Sequence, residues 1–528
     1  MALLDELAGF ITRVTFQGLS SETIHQAKLH IFDSLGAVLA GACTEEGKAN
    51  CGLIQDLFSS REGADVSRPS SIVHHPSVHN SFSAREETDV PRPSPARRSL
   101  LTSVASAQEV GAGGSLVPRL PTVALAQAGP SLDLPVPGFN FTAPLPFALL
   151  LSCIAARLTE TDDIDIASCT TVGSVVVPAS LLLAYKKGAT GKELVEGVVA
   201  GYEIFTRLGA AVNGAEIIYR GIWPTYLCGA VGVASVGSKI LRLTPEQIKN
   251  ALAISLTMSA GIAGRIKGGL TSRWLNLGCA AQNGLIACLA AARGFAGDQT
   301  VLEGSFSYLY GLDIKPQVLL EGLGEKFQIG KVNFKPYCSA RQAIASLEAF
   351  RWLLHTYRIV PEAIEDIEVI VPRQYSQMID RPGFPEDRLG SITSIQYQLA
   401  LAAFYEDDLF DVERKVLRDE KEVRTFMQKI HVSPSDSMTA IYPKKWPGKI
   451  LLRVDGKRYE HEVMAPQGDS DQPMTWEDIE QKTKRITHRF FDPEKIAELS
   501  ACVKSLESIE KVDTLLDIVN RASTTPND

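Results

Sequence analysis

The stretch GATGKELVEGVVAGYEIFTRLG, residues 188–209, decides the fold class. Thr190 stands where an N-cap belongs and Glu193 follows three residues later. That is a capping box, in which cap and N3 side chains satisfy each other's backbone N–H groups at a helix start. LTPEQIKNALAISLTMSAGIAG, residues 243–264, repeats the pattern with Thr244 as cap, Pro245 at the first helical position and Gln247 at N3. Its small residues, Ala251, Ala253, Ser255, Ser259, Ala260 and Gly261, allow close helix approach. LGCAAQNGLIACLAAARGFAG, residues 277–297, continues in the same style. Together they predict a compact, largely buried helical bundle. Residues Ser21 to Ala42 add an earlier helix, with Ile24, Ala27, Ile31, Leu35 and Val38 at helical spacing.

The texture changes near Tyr308. EKFQIGKVNFKPY, IEDIEVIVP and KILLRVDGKRYEHEVMAP alternate or run in β-formers, and Asp455-Gly456 marks a hairpin turn. With the helix-like QAIASLEAFRWLL, this predicts a small α+β domain over 308–468. Helices return after Thr475 and at Asp492-Pro493. The expected organisation is a mainly α chain: a helical part over 1–307, an α+β domain over 308–468 and further helices over 469–528.

Residues 61–146 fit none of this. They are rich in Ser, Pro and Arg with no sustained period, and cannot bury enough surface to offset their ordering entropy. The stretch reads as an irregular or disordered insertion, or as translated non-coding sequence in a faulty gene model. Deleting about 65–140 is expected to leave folding intact. Nothing around His74, His75 and His79 fixes a metal geometry.

The 528 residues exceed one ordinary core and predict two or three domains. With a net charge of −8 and no basic stripe, nucleic acid is not an expected partner. Nine scattered cysteines form no CxxC pair, which argues against zinc and redox motifs and fits a reducing compartment. Most of them read as small buried hydrophobes. The start MALLDELAGF has acids where a signal peptide needs bases. The apolar runs Phe147–Ala156 and Val175–Ala184 are too short to span a bilayer. A cytoplasmic enzyme is expected, with a mitochondrial location left open.

The chemistry centres on LTETDDIDIASCTTVGSVVVPASLLLA, residues 158–184, where Asp162, Asp163 and Asp165 precede an apolar run. Carboxylates at that density are costly to bury without partners. They read as a solvated helix end, a metal site, or part of an anion-handling site that also holds cations. A metal needs more ligands, and no nearby His or Cys pair supplies them. Cations that could grip an anion stand in GIAGRIKGGLTSRWLNLG (Arg265, Lys267, Arg273) and in FKPYCSARQ (Lys335, Arg341).

In order, the acid cluster, SVVVPA, GIWPTYLCGAVGVASVGSKILRLTPEQIKNALAIS, GCAAQNGL and FKPYCSARQAIAS resemble the 2-methylcitrate dehydratase / cis-aconitate decarboxylase family, MmgE/PrpD. The resemblance covers roughly 1–60 and 147–520. It implies a helical domain built from both chain ends with an inserted α+β lid, a homodimer, and catalysis without metal or organic cofactor in a cleft between domains. The implied substrate is a small tricarboxylate such as an alkylcitrate or cis-aconitate-like acid, dehydrated or decarboxylated. The acids match the family's acidic motif, and Arg273 stands where members carry a basic residue before GxAA. The candidates for substrate binding are Arg273, Lys267, Lys335, Arg341, Thr171 and Thr225, and those for catalysis are Asp162, Asp163, Asp165 and Tyr337.

One departure stands out. Typical members carry histidines where this chain has Asp165, Thr171 and Trp223, and commonly another after KPY, where Ser-Ala-Arg-Gln follows. No histidine occurs between His79 and His355. The remaining proton carriers are Asp163, Asp165 and Tyr337, whose phenol the neighbouring Lys335 and Arg341 are expected to acidify. His25, His30, His355, His431, His461 and His488 are expected at the surface or in packing. Two other readings stay open: a dicarboxylate epimerase or isomerase on the same scaffold, and a catalytically impaired paralogue.

Overall fold

The computed structural model describes residues 3–58, 133–262 and 271–522. Residues 61–132 of the expected insertion, its three histidines, Arg265 and Lys267 lie outside the described residues.

The main core is helical. Its principal elements are α1 (Leu3–Arg13), α2 (Ser21–Ala42), α3 (Leu145–Leu158), α4 (Gly173–Lys187), α5 (Gly191–Ala211), α6 (Pro224–Ile240), α7 (Pro245–Thr257) and α8 (Ser272–Ala292). Both expected capping boxes form. Thr190 Oγ1 accepts from the Glu193 N–H at 3.2 Å while Glu193 accepts from the Thr190 N–H at 2.9 Å. Thr244 and Gln247 do the same. Helix α6 packs against α4, α5, α7 and α8, and α2 packs against α3. Helix α8 is long and apolar enough to cross a membrane by composition, yet it packs one face on α3, α6 and α7. Small residues set these distances. A Cβ on Gly41 in α2 would stand 1.9 Å from the Ala155 carbonyl oxygen of α3.

The described part of the expected insertion is ordered. Strands β1 (Asp133–Pro135) and β2 (Thr142–Pro144) form an antiparallel hairpin leading into α3. Leu134, Val136 and Phe139 are buried in the helical core. Burial of these apolar groups makes the segment structural, so a deletion reaching residue 140 would strip core side chains.

The chain end returns to the same core through α10 (Trp476–Thr487), which packs on α2. Between them lies a second core around a four-stranded sheet. Its strands are β3 (Ile364–Pro372), β4 (Ile430–Ser435), β5 (Gly448–Val454) and β6 (Lys457–Val463), in the order β4-β3-β5-β6. The β3–β4 pair is parallel and the others antiparallel. The β5–β6 turn uses Asp455 (φ 48°) and Gly456 (φ 70°), the left-handed pair that suits a two-residue hairpin. Helix α9 (Arg341–Tyr357) lies on β5 and β6.

The change of core does not fall at residue 308. Residues 307–334 form short helical pieces rather than strands, and Leu319, Ile329, Val332 and Phe334 join the helical core. Their β-formers bury against α2 and α5 instead of pairing with a neighbouring strand. From Tyr337 onward the chain builds the second core, which also takes in Ala40, Ile164, Cys169, Ala215 and Ile218.

Replacing Gly41 with Ala forces a methyl into the α2–α3 contact. A loss of about 1–3 kcal/mol is expected from such overpacking, read as a lower thermal midpoint. An unchanged midpoint would show that the contact relaxes freely.

Candidate active site

Helix α3 ends at Leu158, and the chain turns through Thr159 and Glu160, whose φ is 55°. The turn gathers charge. Arg157, in the last turn of α3, places Nη1 2.5 Å from Glu160 Oε2 and 3.1 Å from Asp162 Oδ1. Lys335 Nζ reaches the same Asp162 oxygen at 3.2 Å and donates to the Glu160 carbonyl at 3.4 Å. From the start of α8, Arg273 brings Nη2 to 3.3 Å from Glu160 Oε1. Its guanidinium lies over Trp223 at 4.8 Å and Trp274 at 4.7 Å, which hold it by cation–π attraction. Across the gap, Arg341 opens α9 and is ion-paired with Asp469.

These groups share one pocket. Arg157, Glu160, Arg273, Lys335 and Arg341 line it with Thr171, Cys169 and Gln342. Ile164, Ile218, Trp223, Met378 and Ile392 make its apolar wall. Among the described lining residues, four cations face one carboxylate. Counting Asp162 and Asp469, which hold Arg157, Lys335 and Arg341, four positive charges meet three negative. An excess of one positive charge is left. Arg341 Nε and Nη1, Arg157 Nε and Arg273 Nε are buried without a protein acceptor. Buried donors left unmade are costly, so this wall suits an anion.

Burial alone would raise the Glu160 carboxyl, but Arg157, Arg273 and Lys335 outweigh it and hold the group down to about 2. Glu160 is therefore a fixed anion. The Cys169 thiol, which also faces the pocket, is pushed up to about 12 by burial. Among the described residues, no three His, Cys, Asp or Glu side chains converge to hold a metal ion.

The expected site residues divide into two groups. Arg273, Lys335, Arg341 and Thr171 line the pocket. Asp162 sits behind it on Arg157 and Lys335, and Thr225 lies beneath, accepting from the Thr171 N–H at 3.0 Å. Lys267 lies outside the described residues.

The other three acid–base candidates are not in the pocket lining. Asp163 is fully enclosed, accepting from Tyr202 at 2.5 Å and from the Gly173 N–H at 2.7 Å, with His30 Nδ1 2.7 Å away. It anchors the start of α4. Asp165 closes a turn through the Ser168 N–H at 2.8 Å, and burial raises its carboxyl. Tyr337 belongs to the second core, edge-on to Phe410 and hydrogen-bonded to Arg351. Its phenol is not acidified. Burial pushes it up to about 12 despite Arg351, the cation that meets it.

Sequence reading missed Arg157, Glu160, Asp469 and His30. Arg157 and Glu160 immediately precede the aspartates, and their signal was a charged pair at a helix end. His30, expected at the surface or in packing, is completely buried against Asp163 and stacked on Phe334 at 4.3 Å.

Models of the MmgE/PrpD N-terminal and C-terminal domains match residues 95–318 and 337–508. The chain belongs to the MmgE/PrpD family. The match begins inside 61–146, so part of that stretch shares the family pattern. Among MmgE/PrpD relatives, the cis-aconitate decarboxylase-like protein oryM of Aspergillus oryzae is 25% identical over 400 residues, covering 71% of this chain and 82% of that protein. The cis-aconitate decarboxylase of Aspergillus terreus is 25% identical over 397 residues, covering 69% and 79%. The human cis-aconitate decarboxylase is 22% identical over 352 residues, covering 63% and 70%.

Burial opposes ionisation of Asp163, but His30, Tyr202 and the Gly173 N–H together hold its carboxyl below the ordinary range. A depressed carboxyl adds stability that is present above the unfolded pKa of about 3.9 and lost as pH falls through the folded value. Asp163→Asn is therefore expected to lower the thermal midpoint at neutral pH, with the gap from wild type closing in acid. A gap independent of pH would contradict the assignment.

Proposed function

We propose that this lyase decarboxylates a small tricarboxylate of the cis-aconitate type. One observation carries the reading: Arg157, Arg273, Lys335 and Arg341 converge on a pocket with too few carboxylates to neutralise them. Guanidinium groups match carboxylates in geometry as well as charge. In this reading Arg273 and Arg341 take two substrate carboxylates from opposite walls. The third points toward Lys335 and Glu160, where the cations are already balanced, and its departure as neutral CO2 is favoured.

As the C–C bond to the leaving carboxylate breaks, its electron pair stays on the substrate. The negative charge spreads toward carboxylates already held by fixed cations, which need no rearrangement to stabilise it. A proton then completes the new C–H bond. Among the described lining residues, Lys335 is the group suited to give it: the arginines stay protonated, Glu160 stays ionised and the Cys169 thiol holds its proton. Water restores the ammonium. The relatives' names support decarboxylation over dehydration.

Incubation in D2O with a panel of polycarboxylates tests the reaction. Release of CO2 from a cis-aconitate-like acid is expected. Loss of water would move the enzyme to dehydration, and deuterium uptake without mass loss would move it to epimerisation. For the clamp, Arg273→Ala and Arg341→Ala are each expected to weaken binding of the unreactive propane-1,2,3-tricarboxylate by roughly ten- to a hundredfold, the worth of a charge-assisted hydrogen bond. Unchanged affinity in both folded variants would remove the clamp.

A further inference from the structure

Among the described lining residues Glu160 is the one carboxylate in the pocket, and its position is unusual in two ways. The first is its partners. Its two oxygens contact Arg157 at 2.5 Å, Arg273 at 3.3 Å and Lys335 at 3.7 Å, the same cations that face the pocket. It occupies the kind of place a substrate carboxylate would take. The second is its backbone. Glu160 lies just past the cap of α3 with φ 55°, the left-handed position that helix ends usually give to Gly or Asn. A residue chosen for the turn alone would not be Glu.

Glu160 is shared. Arg157 and Lys335 each reach both Glu160 and Asp162, Arg273 reaches Glu160, and Arg341 reaches Asp469. Four cations therefore meet three carboxylates, and Glu160 by itself serves three of the four.

We propose that Glu160 is a built-in counter-carboxylate that limits how many substrate carboxylates the pocket neutralises. This rests on the polycarboxylate reading above. A dicarboxylate takes Arg341 with one end and Arg273 with the other, so only one of its groups comes near Glu160. A tricarboxylate must bring its third carboxylate to Arg157 and Lys335, which Glu160 and Asp162 already balance, and there Glu160 repels it. That repulsion weakens tricarboxylate binding and is relieved when the third group leaves as neutral CO2. One residue thus trades ground-state affinity for the carbon–carbon cleavage.

Isothermal titration of wild type, Glu160→Gln and Glu160→Asp with propane-1,2,3-tricarboxylate and with glutarate tests this. Glu160→Gln is expected to bind the tricarboxylate roughly tenfold more tightly while changing glutarate affinity by less than about threefold. Its kcat for CO2 release is expected to fall as its KM falls, a split that mere loss of packing would not produce. Glu160→Asp draws the carboxylate back and is expected to shift in the same direction by less, which serves if the Gln variant fails to fold. Unchanged or weaker tricarboxylate binding in a folded variant overturns the proposal while leaving the polycarboxylate reading in place. If neither acid binds wild type or either variant, the polycarboxylate reading fails and this proposal falls with it.

Discussion

The site depends on a charge imbalance held out of water. Isolated buried cations are expensive, and a fold keeps them only where carboxylates and backbone oxygens compensate. Here compensation is incomplete. Arg157 and Lys335 are ion-paired with Glu160 and Asp162, yet Arg157 Nε, Arg273 Nε and two Arg341 nitrogens stay buried without an acceptor. The remaining attraction is directed at the pocket and is available to an anionic ligand. The same low-polarity surroundings that make the imbalance costly strengthen its grip on a carboxylate.

The helical core makes that arrangement stiff. The turn carrying Glu160 and Asp162 follows α3, which packs closely on α2 and α8. Behind it, a second polar layer ties the turn down. Asp163 meets His30 of α2, Tyr202 of α5 and the first N–H of α4, while Lys482 of α10 reaches Asp33 at 2.6 Å and the Thr161 carbonyl at 2.7 Å. Adjacent aspartates thus serve opposite purposes. Asp162 faces the pocket cations, and Asp163 faces the interior and joins helices. Lys335 and Arg341 stand where the chain passes between the helical core and the second core, which places these pocket cations where the two cores meet.

Much of the architecture was legible in the sequence because it rests on local rules. Capping boxes at Thr190 and Thr244, the small residues of α6 to α8 and the Asp455-Gly456 turn each specify structure within a few residues. Motif order singled out Arg273 and Arg341, and both line the pocket. What escaped depended on distant contacts. Tyr337 is three residues from Phe334 and two from Lys335, yet its ring turns into the other core, where Arg351 and not Lys335 meets it. Asp163 and Asp165 carry the same side chain as Asp162, and only packing tells a pocket acid from a helix tie or a turn. His30 lies more than a hundred residues from its partner, so no local pattern could pair them. The β-formers before Tyr337 misled for the same reason: burial against α2 and α5 satisfied them without a sheet.

A crystal structure with propane-1,2,3-tricarboxylate bound tests the central claim most directly. Its carboxylates are expected within hydrogen-bond distance of Arg273 and Arg341, with the third nearest Lys335 and Glu160. A ligand seated elsewhere, or touching neither arginine, would contradict it.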